Sequence, residues 1–227
     1  MPARNIVKVY IENGIYHVYN RGVEKREIFL DHQDYVVFLR ILKDALSPRS
    51  DKKMIQIDVT LKGSTFKGVP RQPKIFYKEI DLIAYCLMPN HFHFLLKQKK
   101  EQSMHQFLHS VSIRYAMYFN KRYHRVGKLF QNIYKAALVS EEPYFLHVSR
   151  YIHLNPKEII EDIEKAYSSY AEYTGKRHTP WVKTDMVLSS FGTNDSIISK
   201  RYHGYKEFVE SSKEKSSEFL GRDVLDE

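Results

Sequence analysis

Three side chains in this 227-residue chain combine reactive types with suggestive spacing: His91 and His93 in YCLMPNHFHFLL, and Tyr151 in HVSRYIHLNP. Side chains on a strand alternate faces, so His91 and His93 point one way while Phe92 and Phe94 point the other. Two imidazoles about 6–7 Å apart on one strand face can converge on a single cation or phosphate. The same pair also suits two half-exposed histidines on a sheet surface. His147, Tyr151 and Asn155 fall at i, i+4 and i+8, on one side of a helix beside the apolar stripe Phe145, Val148 and Ile152. A tyrosine hydroxyl there serves as a nucleophile or as part of a hydrogen-bond network, with His147 as a proton carrier or a packed ring. Asn before Pro is also an ordinary helix terminator, and tyrosine is common at core edges. As a nucleophile the phenol needs help, because ionising a group of pKa near 10 at pH 7 costs about 4 kcal/mol.

The elements that must hold these groups follow from periodicity. GIYHVYNRG alternates as a strand ending at Gly22. Asp31 is placed as the N-cap of a helix whose apolar face is Tyr35, Phe38, Leu39, Leu42 and Leu46. MIQIDVTLKGS, with Ile55, Ile57, Val59 and Leu61 in alternation, predicts a half-exposed strand, and TFKGVPRQPK a loop. EIDLIAYCLM and HFHFLLKQ, joined at Pro89-Asn90, predict a hairpin. A second helix over 102–120 turns Met104, Phe107, Leu108, Val111, Tyr115 and Tyr118 to one face, and LFQNIYKAALV predicts a further strand. A third helix starts near Ser140, with Glu141 and Glu142 in its first turn. It should stop at Asn155, because Pro156 disfavours a helical residue before it. The polar AYSSYAEYTGKRHTPW reads as a loop, and TDMVLSSF and SIISKRYHGYKEFVESS as two short helices. This order predicts an α+β sandwich with helices on one face of a largely antiparallel sheet.

YHVYNRG, YCLMPNHFHFLL, GKLFQNIYKAALV and YIHLNP, in this order, resemble the HUH single-tyrosine transposases, which include insertion-sequence and REP-associated tyrosine transposases. The resemblance spans roughly residues 10 to 175. It implies a ferredoxin-like antiparallel sheet with helices packed on it, and a small helical C-terminal extension. A transposase (nuclease) domain over 1–175 would carry an insertion near 47–80, with the extension over 176–227. It further implies that His91 and His93 hold a catalytic divalent cation, Mg²⁺ or Mn²⁺, that Asn155 supplies a third ligand, and that Tyr151 is the nucleophile. Asn20 and Arg21 lie in the family's first-strand motif and are expected at the DNA. The implied reaction cleaves and rejoins single-stranded or hairpin DNA through a 5′-phosphotyrosine. A binding regulator without cleavage is the alternative, and homodimer and monomer both occur among relatives.

Charge points independently to a polyanion. The chain carries +9 overall. Residues 1–156 hold 25 Lys/Arg against 13 Asp/Glu, whereas 157–227 hold 11 against 14. Arg114, Lys121, Arg122, Arg125 and Lys128, interleaved with Tyr123 and His124 and followed by Lys135, form a run without an acid among them. Lysine and arginine grip phosphates and aromatic rings stack on unpaired bases, which fits single-stranded DNA. The single cysteine, Cys86, excludes an intrachain disulfide and a multi-cysteine zinc site. No apolar run reaches the 18 or so residues of a membrane span and the first residues lack a signal-peptide core, so a cytoplasmic location and no membrane partner are expected.

Overall fold

The alternating segments pair into one four-stranded sheet. In the computed structural model, which describes residues 10–49, 56–69, 72–192 and 201–211, the main elements run in the following order. They are β1 (Ile15–Arg21), α1 (His32–Leu46), β2 (Ile57–Leu61), β3 (Ser64–Gly68), β4 (Ile80–Met88), β5 (His91–Gln98), α2 (Ser103–Arg122), β6 (Lys135–Leu138) and α3 (Glu142–Leu154). The sheet order is β4-β5-β1-β6 with every neighbour antiparallel. Setting β2 and β3 aside, this is the split β-α-β-β-α-β arrangement of a ferredoxin-like fold. Asp31 caps α1 as its position predicts, accepting from the Asp34 backbone N–H.

Both faces of the sheet are covered, which corrects the expectation of helices on one face. Tyr16, Val18, Phe92, Phe94 and Leu96 pack under α1 and α2. Ala84, Cys86, Met88 and Leu95, on the other face, pack under α3 and the C-terminal segment. A register shift between Leu82 and Ala84 in β4 turns Ile83 into this second core, and its carbonyl accepts from the Tyr173 hydroxyl at 2.9 Å.

Three further expectations are overturned. TFKGV is not a loop: Ser64–Gly68 pairs with Ile57–Leu61 as a separate hairpin, closed by Lys62 (φ 50°) and Gly63 (φ 83°) in the left-handed region. The hairpin is exposed on both faces, with Leu61 62% and Phe66 50% accessible, so β2 is not a half-buried strand. Ile55 lies outside the described residues. AYSSYAEYTGKRHTPW is not a solvent loop either: Ser168, Ser169, Tyr170 and Tyr173 are buried. Residues 167–169 bond to Tyr85 and Leu87, and 182–183 run beside Leu82, so this stretch covers the free edge of β4. Finally, Asn155 keeps helical dihedrals (φ −49°, ψ −44°) and the chain continues into a 3-10 turn, Asn155–Glu158. The α-helix therefore ends at Leu154 by tightening, not because Pro156 expels its neighbour from the helical region. Of the two terminal helices, Asp185–Leu188 and Tyr205–Glu210 are present; the SIIS stretch lies outside the described residues.

A buried polar chain ties α3 to the C-terminal segment. His153 Nδ1 lies 2.6 Å from the Tyr205 hydroxyl and Nε2 lies 2.8 Å from Ser169 Oγ. Ser169 in turn bonds the backbone of Tyr85. Burial lowers the His153 pKa from 6.5 to about 3. The unfolded chain therefore binds a proton that the folded chain refuses between those values, and stability must fall as pH drops below 6.5. From His153 alone the expected loss between pH 7 and pH 5 is about 2 kcal/mol. Urea unfolding across this range should show a shallower pH slope for His153→Gln than for the wild type; equal slopes would mean that the folded ring accepts the proton.

Candidate active site

β1 and β5 bring the sequence-derived residues together on the α3 side of the sheet. In the antiparallel register Tyr19 faces His93 and Arg21 faces His91, with His17 one alternation further along the same face. Ile152, Val148 and Phe145 seat α3 in the core, and this turns Tyr151 down onto the histidines. Its ring stands edge-on to His93 at 5.3 Å and to His17 at 5.6 Å between centroids. His91 and His93 are 5.0 Å apart at right angles.

The site is closed at the tyrosine end and open at the His91 end. His93 is 1% exposed and Tyr151 4%, whereas His91 is only half-buried. Burial lowers the His91 pKa to about 4, the Arg21 guanidinium adds to that, and a hydrogen bond with the Asn155 side chain opposes it. Burial pushes the Tyr151 phenol up to about 12, against a hydrogen bond from Asn155 that pulls it down. The Asn155 amide lies beside both groups, and its Nδ2 donates to the Tyr151 backbone carbonyl at 2.9 Å. His91 Nδ1 is 2.6 Å from Asn90 Oδ1, and His93 Nδ1 is 3.0 Å from His17 Nε2. His93 Nε2 is buried and has no hydrogen-bond partner among the described residues. No three His, Cys, Asp or Glu side chains there are grouped to hold a metal ion. A cation bound to the two histidines would need a third donor of another type, and the Asn155 amide is the one in place.

His147 joins a different environment. It accepts from the Arg150 guanidinium at 2.9 Å and packs 6.1 Å from the Phe208 ring. Asn90 and His17 are site residues that the sequence reading left out. Asn90 was legible within the PNH block. His17 shares the strand alternation of Tyr19 and Arg21, but nothing in the sequence couples it to a histidine 76 positions later.

The family profile described as "Transposase IS200 like" matches residues 73–155, which hold both histidines, Tyr151 and Asn155. Over this segment the chain is similar to the IS200-like transposases, which supports the HUH single-tyrosine transposase family. No curated protein matches the chain significantly. A solved structure, "Structure of the REP associates tyrosine transposase bound to a REP hairpin", aligns with 78% of this chain and 95% of its own, at 10% identity and a TM-score of 0.47.

Around the IS200-like segment the basic residues are placed unequally. Lys121 and Lys128 are exposed. Lys135 lies beside the site, its ammonium 5.6 Å over the Tyr19 ring. Arg21 contacts Gln131 Oε1 at 3.4 Å, and Asn20, 7% exposed, donates to the Asn132 carbonyl at 3.2 Å. Arg125 bonds Asn120 Oδ1 at 3.0 Å and lies over Phe119. Although the run holds no acid in sequence, α1 supplies three in space. Arg114 pairs with Asp44 at 3.3 Å, and Arg122 with Asp31 at 2.6 Å and Asp34 at 2.7 Å. Among the described residues no helix is long and apolar enough to cross a membrane.

Proposed function

We propose that the chain cleaves and rejoins single-stranded DNA, with the Tyr151 hydroxyl as nucleophile. The observation that carries this reading is the meeting of Tyr151, His93, His91 and Asn155 at one point, with Arg21 at its open end. The orphaned Nε2 of buried His93 and the amide of Asn155 against His91 fit a divalent cation, Mg²⁺ or Mn²⁺, held by His91, His93 and Asn155. The chemistry such a cation supplies when bound is charge on the phosphoryl oxygens.

The protein's own groups do the rest. Arg21 binds the phosphate at the half-buried mouth and orients it toward the tyrosine. The Tyr151 oxygen forms a bond to phosphorus as the 3′-oxygen of the upstream fragment leaves, and the proton lost by the phenol is matched by the one the 3′-hydroxyl gains. The product is a 5′-phosphotyrosine. It keeps a phosphodiester, so the reverse attack by a 3′-hydroxyl rejoins DNA without ATP. Asn155 assists by its hydrogen bond to the phenol, the one contact favouring the phenolate against burial. Lys121, Lys128 and Lys135 supply the salt-sensitive grip on the strand. A hairpin in the DNA belongs to the same proposal, with either a homodimer or a monomer as its assembly.

Incubation with a family-type hairpin oligonucleotide labelled 3′ of the break should give protein that keeps label through denaturing electrophoresis in Mg²⁺ or Mn²⁺, and none after chelation. Binding without any adduct would support the second reading, a DNA-binding protein without cleavage. The burial of Tyr151 and its raised pKa favour that reading.

A further inference from the structure

We propose that His17 is a positioning residue that holds His93 in the tautomer able to bind a divalent cation. The inference rests on the cation reading above and goes beyond its ligand set.

His17 is 0% exposed, and its Nε2 faces His93 Nδ1 at 3.0 Å. In a contact between two neutral imidazoles one nitrogen must donate and the other accept. If His17 donated, His93 would carry its own proton on Nε2. That nitrogen would then be a buried donor without a partner, unable to ligate anything. If His93 Nδ1–H donates to His17, the lone pair of His93 Nε2 is free, and Nε2 is the buried atom that lacks a partner among the described residues. Without a cation the two arrangements are nearly matched, since each leaves one unpaired nitrogen on each ring. A cation at His93 Nε2 satisfies that atom in the second arrangement only, so binding selects it and His17 becomes the acceptor.

The neighbouring histidine shows the same construction with less freedom. His91 Nδ1 is 2.6 Å from Asn90 Oδ1, an oxygen that can only accept, so this contact calls for the proton on Nδ1 and leaves Nε2 on the Asn155 side of the ring. Each histidine of the pair therefore offers Nδ1 to a second residue, an amide for His91 and an imidazole for His93. Ligating histidines commonly donate their other N–H to a fixed acceptor, and loss of that acceptor typically costs 10–100-fold in metal affinity. His17 does not itself join the ligand set, because its Nε2 is committed to His93 Nδ1. Its stacking on His93 (5.2 Å, 17°) fixes the plane of the ring as well as its proton.

Calorimetric titration of the DNA-free chain with Mn²⁺ alone tests this without any activity readout. His17→Phe keeps a flat ring and removes the acceptor; His17→Gln places an amide oxygen where Nε2 lay. The expected result is an affinity about 10–100-fold weaker for His17→Phe and close to wild type for His17→Gln, with the urea midpoint of the cation-free Phe variant unchanged or raised. A packing role would instead lower the midpoint and leave the affinity alone. In the Mg²⁺-loaded, ¹⁵N-histidine-labelled protein, a through-hydrogen-bond coupling should join His93 Nδ1–H to His17 Nε2. Wild-type affinity in His17→Phe, alongside lost binding in His93→Ala, would overturn the role of His17 and leave the proposed function standing. No Mn²⁺ binding by the wild type would overturn both.

Discussion

Replacing Tyr151 by phenylalanine is expected to abolish covalent capture of DNA while leaving the fold and DNA affinity in place. The ring keeps its edge-on packing against His93 and His17. The hydroxyl interacts with the Asn155 side chain, so losing it should change stability by about 1 kcal/mol at most. Chemistry should suffer far more, since removing a nucleophile from a coupled site typically costs about four or more orders of magnitude in rate. The environment sharpens the contrast. With the phenol held at about 12, ionising it at pH 7 in the empty site costs about 7 kcal/mol. Positive charge brought to the site with the phosphate, from a cation or Arg21, would make that ionisation accessible, so the hydroxyl has little value without substrate. Adduct formation with 3′-side-labelled DNA, measured beside a filter-binding affinity, checks both halves. A Phe variant that still forms the adduct would assign the chemistry to another of the 17 tyrosines, Tyr144 and Tyr115 first.

Asp34→Ala should destabilise the chain by about 1–3 kcal/mol, the cost of leaving buried donors without their acceptor. Asp34 is 0% exposed and its carboxylate accepts from four donors. These are the Leu30 N–H at 2.9 Å, the Arg122 guanidinium at 2.7 Å, and the hydroxyls of Tyr118 at 2.9 Å and Tyr123 at 2.8 Å. Alanine takes the acceptor from all four, and Arg122 retains the more exposed Asp31 and the Tyr118 hydroxyl at 2.9 Å. Replacing Asp34 and Arg122 together with apolar residues should cost less than Asp34→Ala alone, because no unpaired charge remains. Urea unfolding of the single and double variants decides it, and a single-variant loss below about 1 kcal/mol would mean that water reaches the pocket. The same network means that reversing the charge of Arg122 sets two carboxylates against a third. Weak DNA binding by such a variant would report unfolding, whereas Lys121 and Lys128 give the cleaner test.

Local periodicity carried most of the fold, whereas the roles expected of His91, His93, Tyr151 and Asn155 came with the family resemblance. Alternation in β1 and across Met88–His91, and the i, i+4 stripes of α1, α2 and α3, each depend on neighbours within one element, and each is present. What remained hidden depends on partners far apart in the chain. Asp34 reads as an ordinary first-turn acid until α2 lays Arg122, 88 positions on, across it. His17 reads as one polar residue of a strand until β5 pairs beside it. The segment 167–173 is polar by composition, yet its serines and tyrosines are buried because the edge of β4 needs hydrogen-bond partners. The hairpin misled in the opposite sense. Ile57, Val59 and Leu61 alternate as for a half-buried strand, and the Lys62-Gly63 turn was a visible signal, but alternation cannot say whether a face has anything to pack on.

The polar chain from Tyr205 through His153 to Ser169 has a bearing on accuracy at the reacting centre. His153 follows Tyr151 by two residues on the same helix, and its ring is gripped at both nitrogens, by a residue of the last described segment and by one that clasps the sheet. A helix held only by apolar contacts can slide or roll by a fraction of a turn with little penalty; two opposed hydrogen bonds on one rigid ring make it a splint. Since an error of about 1 Å in placing a nucleophile can cost a hundredfold in rate, residues 201–211 would, under the proposed function, act as the alignment jig of the tyrosine.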